Sequence, residues 1–177
     1  PQKGIICEDG AQNWTGNGFK RIGDICTMSF DPMKNLPNYG NGGAISTSIP
    51  ELYEFVSNFR HHHHPKYTDV ATNSKMSELD CACMMIKFKY LEEWDRRRKD
   101  IARYWMKDCK YKVLIKDLHT HAVQKFVIQL DDRDDFREKV CYPTRINYPY
   151  TLAPTENAVK LSKTVVSLPI YPELTDA

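Results

Sequence analysis

No stretch of these 177 residues is apolar for long enough to span a bilayer, and the opening residues carry no leader pattern, so neither a membrane anchor nor an export signal is expected. A surplus of one charge is missing too. The 25 Lys and Arg against 23 Asp and Glu leave a net charge of +2, too mild to argue for nucleic acid or an acidic membrane as partner. The cysteines, at 7, 26, 81, 83, 109 and 141, form no CxxC pair and no secreted spacing pattern. Buried free thiols are therefore expected over disulfides or zinc, with Cys7 and Cys26 in core strands and Cys81 and Cys83 in a helix, which points to a reducing cytoplasm. The run His61 to His64 has no further Cys or carboxylate at ligand spacing and ends at Pro65. Adjacent side chains diverge, so a solvated loop is expected there and no metal site. His119 and His121 flank a polar turn and have no identifiable partner in the sequence.

What is present suits a folded chain. A hydrophobic content of 41% with 27% charge supports one or two cores. Strands are expected at 4–8, 24–30 and 43–47, the last two separated by a turn that holds a lysine. A helix follows from Pro50 to Asn58, with Pro at an allowed first position and Leu52, Phe55, Val56 and Phe59 on one face. One long helix is expected near 77–107, with Leu79, Ala82, Cys83, Ile86 and Tyr90 at helical spacing. Glu92 with Arg96, Glu93 with Arg97 and Asp95 with Lys99 form i,i+4 pairs there, so Arg96 to Lys99 reads as solvated helix surface. After Lys110 the pattern is that of a small α+β domain: strand 123–130, helix 131–140, strand 144–148, helix 157–163 and strand 165–168.

The chemistry concentrates near the start. In Ser29-Phe-Asp-Pro-Met-Lys34-Asn35, followed by Leu36 to Ala44 (LPNYGNGGA), a lysine leaves an apolar strand and enters a small-residue turn. There an amine can meet an aldehyde cofactor, and the Ser29 hydroxyl can meet a phosphate. A solvated loop lysine is the plainer alternative. Upstream, Gly4-Ile-Ile-Cys-Glu-Asp9-Gly-Ala-Gln12 ends an apolar strand on a carboxylate, which suits a pyridinium partner or, more simply, a helix cap.

Together the segments EDGAQ (8–12), GDICTMSFDPMKNLPNYGNGGAISTS (23–48), NSKMSELDCA (73–82) and LSKTVVSLPIYPELTD (161–176) resemble the DegT/DnrJ/EryC1/StrS family of sugar aminotransferases, fold-type I enzymes that use pyridoxal 5'-phosphate. The resemblance implies an α/β fold: a partial fold-type I large domain (1–76), a long connecting helix (77–109) and a small C-terminal α+β domain (110–177). It places Lys34 at the Schiff-base lysine, Asp9 at the partner of the pyridine nitrogen, Gln12 beside the cofactor ring and Ser29 on the cofactor phosphate. Asn73 matches an asparagine that reaches the phosphate bound by a neighbouring subunit, which implies a homodimer. Ser29 serving a strand-end backbone group and Asn73 capping the next helix stay open as alternatives.

The segment TRINYP (144–149) matches a stretch bordering the nucleotide-sugar site, which makes Arg145, Asn147 and Tyr148 candidate substrate residues. Relatives usually have histidine where Asn147 stands, and Tyr150 to Pro154 replaces a histidine-rich motif, so the identity of the sugar does not carry over. The implied activity is transfer of an amino group, with glutamate as the expected donor, to a nucleotide-linked keto-sugar. Relatives begin with an N-terminal half that supplies strands, a phosphate cradle and an aromatic stacking on the cofactor, and they continue past residue 177 into a final helix. A chain shortened at both ends, inactive by itself, is the expectation. A non-catalytic oligomerisation piece is one alternative. A sugar dehydratase is another, although relatives of that kind carry histidine where Lys34 stands.

Overall fold

The computed structural model describes residues 4–16, 19–64 and 70–175. The chain divides into two units, Pro1–Leu91 and Glu92–Ala177. Pro65, at the end of the histidine run, and Asp176 lie outside the described residues.

In the first unit, β1 (Cys7–Asp9) pairs in parallel with β2 (Ile25–Ser29), and β2 pairs antiparallel with β3 (Gly43–Thr47), giving the order β1-β2-β3. The strand expected at 4–8 is shifted: Gly4 to Ile6 stay outside it, although the Ile6 N–H is still used, donating to Asp24 Oδ2 at 2.9 Å. Glu8 fixes the parallel register. Its Oε2 accepts from the N–H of Ile22 at 2.7 Å and of Gly23 at 3.0 Å, and these bonds hold its carboxyl below the usual carboxylate range.

Helix α1 (Pro50–Phe59) starts on Pro50, whose missing N–H is one fewer donor to satisfy at an uncapped start. Its expected apolar face is only half-buried, and Phe55 is exposed and stacks on Phe59 at 5.8 Å. Helix α2 (Glu78–Phe88) is capped by Ser77, whose Oγ accepts from Asp80 N–H at 3.1 Å. Asn73 is therefore not the cap.

The single long helix expected over 77–107 is two helices. Lys89 N–H donates to Ile86 O and Tyr90 N–H to Lys87 O, the i to i+3 bonds of a tightened last turn, and a new helix, α3 (Leu91–Lys107), begins after them. The apolar spacing expected for the first part does not face a core either. Met84 is buried, whereas Leu79 is 76% exposed and Ile86 59%.

In the second unit, β4 (Lys112–Val113), β5 (Phe126–Gln129) and β6 (Val165–Leu168) form an antiparallel sheet in that order. Helix α4 (Arg133–Lys139) follows β5, and α5 (Glu156–Thr164), capped by Thr155 Oγ1 on Ala158 N–H, runs directly into β6. Ile101 and Ala102 of α3 pack with Ile115, Val123, Phe126, Ile128, Val166 and Leu168 in one core. The strand expected at 144–148 is reduced to one bridge, Arg145 to Ser167.

The surface expected at Arg96 to Lys99 is half wrong. Arg96 is exposed, but Arg98 and Lys99 are buried. Arg98 Nη1 donates to Ile170 O at 2.7 Å, and Lys99 Nζ pairs with Asp95 at 2.7 Å and donates to His119 O at 3.2 Å. Burial lowers the affinity of Arg98 for its proton, opposed by Glu173 and Asp95. The four-residue spacing of Asp95 and Lys99 is met, but the pair ties α3 into the unit instead of decorating its outside.

His121 does have a partner. Its Nδ1 accepts from Val123 N–H at 2.9 Å and so stabilises Val123 at φ 46°, a conformation that a β-branched residue rarely adopts and that here accompanies a fully buried side chain. Burial holds His121 below the usual imidazole range, consistent with an unprotonated acceptor nitrogen. Of the cysteines, all six are free thiols but only Cys26 is buried, and Cys7 is exposed because it lies on the edge strand. In the histidine run, His61, His62 and His64 are exposed and His63 half-buried.

Candidate active site at the end of the first sheet

Parallel pairing brings two carboxyl ends together. Asp9, the last residue of β1, is opposite Thr27, and Ser29, the last of β2, follows two positions on. Paired residues and their second neighbours share a sheet face, so Asp9, Thr27 and Ser29 line one face at one end. The backbone is crowded on either side. At Gly10 a Cβ would lie 2.7 Å from Cys26 Sγ and 3.1 Å from Thr27 O. At Gly43, opposite Ser29, it would lie 2.7 Å from Met28 O, an atom that cannot yield. The two glycines let the chain pass close to the strand that carries Ser29.

Asp9 does not cap a helix. Its Oδ1 accepts from Ala11 N–H at 3.0 Å and opens a turn, in which Gln12 is exposed. Ser29 Oγ accepts from Asp31 N–H at 3.3 Å, the strand-end role foreseen as its alternative, and keeps its own proton available for donation. Asp31 then shapes the lysine turn: its Oδ1 accepts from Met33 N–H at 2.8 Å and its carbonyl from Lys34 N–H at 2.9 Å. Lys34 is half-buried, followed by buried Asn35, Leu36 and Asn38. Asn35 Nδ2 donates to Thr15 Oγ1 at 3.0 Å, and Trp14 meets Phe30 edge-on at 5.8 Å, so the turn after Asp9 is tied to the turn after Ser29. Asn35 and Thr15 escaped the sequence reading because a tie across twenty residues leaves no local pattern.

Asn73 lies on a separate segment of the same unit, exposed and bridged to His61. Thr72 N–H donates to Phe59 O, and His62 N–H to Thr72 O. The histidine run thus acts as a backbone rail for this segment. Lys75 nearby, with burial, holds His61 below the usual imidazole range. Among the described residues no three His, Cys, Asp or Glu side chains gather where they could hold a metal ion.

The three candidate substrate residues lie in the second unit. Arg145 is exposed and uses its backbone to bridge Ser167, while Asn147 Nδ2 donates to Ser167 Oγ at 3.1 Å. Asn147 and Tyr148 line a cavity of about 370 Å³ together with Tyr150, Thr151, Ser162 and Val165, and Arg145 is not on its wall. Lys125 Nζ stands 5.8 Å from the Tyr148 ring centre.

Among the described residues no helix is long and apolar enough to cross a membrane. A carboxylate, a hydroxyl and an amine at one end of a sheet match the pyridine nitrogen, phosphate and aldehyde of pyridoxal phosphate, so the donor set fits that cofactor.

The chain is similar to known sugar aminotransferases. A dTDP-3-amino-3,6-dideoxy-alpha-D-galactopyranose transaminase of Aneurinibacillus thermoaerophilus is 31% identical over 94% of this chain and 53% of its own length. The structure of a DegT DnrJ EryC1 StrS aminotransferase from Brucella abortus superposes with a TM-score of 0.88 at 25% identity, covering 97% of this chain and 53% of the other. NtdA from Bacillus subtilis, solved with the cofactor PMP, matches with a TM-score of 0.75 at 26% identity over 86% of this chain and 42% of the other. The chain spans about half the length of the relatives it matches. Since the family profile aligns from residue 5 to residue 177, the chain belongs to the DegT/DnrJ/EryC1/StrS aminotransferase family.

Proposed function

We propose that this chain carries the catalytic lysine of a pyridoxal phosphate-dependent sugar aminotransferase, acting in the cytoplasm on a nucleotide-linked keto-sugar with glutamate as amino donor. The observation that carries this reading is the convergence of Asp9, Ser29 and the Lys34 turn at the carboxyl ends of β1 and β2. Pyridoxal phosphate, when bound, supplies an electron sink and a carrier for the amino group. The chain's residues do the rest. Asp9 would face the pyridine nitrogen and favour its protonated form. Ser29 Oγ would donate to the phosphate, and Gln12 would stand beside the ring. Lys34 would hold the aldehyde through Nζ and, when released, its amine would take up and return the substrate proton as general base and acid.

In this proposal residues 1–76 belong to the cofactor-binding large domain, residues 110–177 are the small domain, and the helical stretch 77–109 connects them along the chain. Asn147 and Tyr148, on the cavity wall, and Arg145 contribute to sugar binding. Asn73 serves the phosphate of a second copy in a homodimer, in support of which the neighbouring helix α2 exposes Leu79, Met85 and Ile86. A lysine at position 34 favours transamination over dehydration.

Borohydride reduction of the chain incubated with pyridoxal phosphate, followed by peptide mapping, tests the core of the proposal. The label is expected on Lys34, and a label mainly on another lysine refutes it. Asp9→Asn is expected to leave folding intact while slowing the amino-transfer half-reaction of the reconstituted enzyme, and an unchanged rate removes Asp9 from that role. Sedimentation tests the dimer.

A further inference from the structure

The Lys34 turn is anchored at its base and at its tip by different means. At the base, Asn38 N–H donates to Phe30 O at 2.7 Å and Phe30 N–H to Gly42 O at 2.9 Å, which closes the loop back onto the end of β2. The tip has no strand to pair with. Pro37 brings no N–H, so its carbonyl is its only polar backbone group, and Tyr39 is 76% exposed. Both are met by one side chain from fifty residues away. Lys87, near the end of α2, donates from Nζ to Pro37 O at 2.8 Å and holds the same ammonium 3.9 Å from the centre of the Tyr39 ring. A cation at that distance from an aromatic face is attracted to it, and a charged donor strengthens the bond to the carbonyl. Neighbouring Ile86 and Phe88 are exposed, so the loop contact is the specific work of this position on the helix.

We infer that Lys87 is a positioning residue for Lys34: it clamps the tip of the loop that leaves the lysine turn and so restricts where the Lys34 amine can go. The inference rests on the proposal that Lys34 carries the cofactor. Without the clamp, Pro37 and Tyr39, three and five positions after Lys34, gain freedom on either side of Asn38, so the Asn38 to Phe30 bond at the base opens more often. An amine on a looser turn spends less time in the reactive geometry.

The test uses the 177-residue chain and three variants: Lys87→Met, which keeps the length of the side chain, Lys87→Arg, which keeps a cation and donors, and Tyr39→Leu, which removes the ring from the other side of the contact. Hydrogen exchange at Asn38 and Phe30 needs no cofactor. It is expected to speed up about tenfold in Lys87→Met, less in Tyr39→Leu, and to return towards the parent in Lys87→Arg. The rate at which pyridoxal phosphate and borohydride label Lys34 is expected to fall several-fold in the same order. Unchanged exchange in both Lys87→Met and Tyr39→Leu overturns the clamp and leaves the Lys34 proposal standing. Faster exchange with an unchanged labelling rate shows a clamp that does not position the amine and overturns the inference. Absence of any Lys34 label in the parent chain defeats the cofactor proposal itself and, with it, the functional half of the clamp.

Discussion

The two units spend their apolar side chains differently. In the second, α3 and the sheet β4-β5-β6 enclose Phe126, Ile128, Val123 and Val166 almost completely, and even Arg98 and Lys99 are drawn in. In the first, the buried apolar residues among those described are Cys26, Leu36 and Met84, while Ile5, Ile6, Phe55, Leu79, Met85 and Ile86 are exposed. The first unit is held by polar ties instead: Glu8 on Ile22 and Gly23, Asn35 on Thr15, Asp31 on the lysine turn, Lys87 on Pro37. Apolar burial sums non-directionally and makes a unit stable, whereas hydrogen bonds contribute less each but fix direction. Within this chain, directional ties predominate in the unit that holds the Lys34 turn and apolar burial in the other.

The largest test of this contrast is Phe126→Ala. Removing a fully buried ring from the second core is expected to cost about 3–5 kcal/mol, whereas Met84→Ala in the first unit is expected at or below the low end of such truncations, about 2 kcal/mol. Urea unfolding followed through the tryptophans checks both, and equal costs would erase the distinction. Next is Gly43→Ala. Its new methyl would meet the Met28 carbonyl at 2.7 Å, so a loss of about 1–3 kcal/mol is expected from the strand shift. Part of that loss should appear as slower Lys34 labelling, because Gly43 faces Ser29.

Smaller effects come from titration, and each has a sign. Glu8 has a lowered affinity for protons in the folded chain, so its contribution is complete above the ordinary glutamate range near about 4.3 and is lost as pH falls through its lowered value. His121 is also held low, by burial. Its unprotonated form is the folded one, so its contribution is complete above about 6.5 and is lost as pH falls. His61 in the first unit is held low as well, so the comparison is made in a His61→Gln background: there, urea midpoints read by a probe in each unit should drop first in the second unit on acidification, and Glu8→Gln should flatten only the lower part of the profile of the first. If both midpoints move together across pH 6, His121 is not the cause. The smallest stability effect is expected for Met85→Lys on the exposed face of α2, within about 0.5 kcal/mol for the unassociated chain. The same variant should abolish dimer sedimentation if that face lies at the subunit contact.

Legibility followed the range of the interactions. The strand pair Ile25–Ser29 and Gly43–Thr47 was readable because both strands flank one turn and share a local alternation, and the start of α1 was readable because Pro50 marks it. Asp9, Ser29 and Lys34 were legible as a carboxylate, a hydroxyl and an amine beside turns, and their roles toward a cofactor remain the proposal made above. The break in the long helix left no sequence signal because Lys89 and Tyr90 are acceptable helix formers, and the three-residue bonds to Ile86 and Lys87 mark where α2 ends. The apolar spacing of α2 is periodic, yet Leu79 and Ile86 are exposed, since periodicity shows which residues share a face and not what covers it.

The order of its four motifs, by itself, determined the family of this chain, because that order is written in residue types and spacing alone. Tertiary structure decided the rest. It set Asp9 level with Thr27, drew Arg98 onto the carbonyl of Ile170, held Val123 in a left-handed turn and brought Lys87 to Pro37. Each of these depends on a register, a burial or a contact made when distant segments meet. A local pattern restricts which partners a residue can take, and the packed chain selects among them.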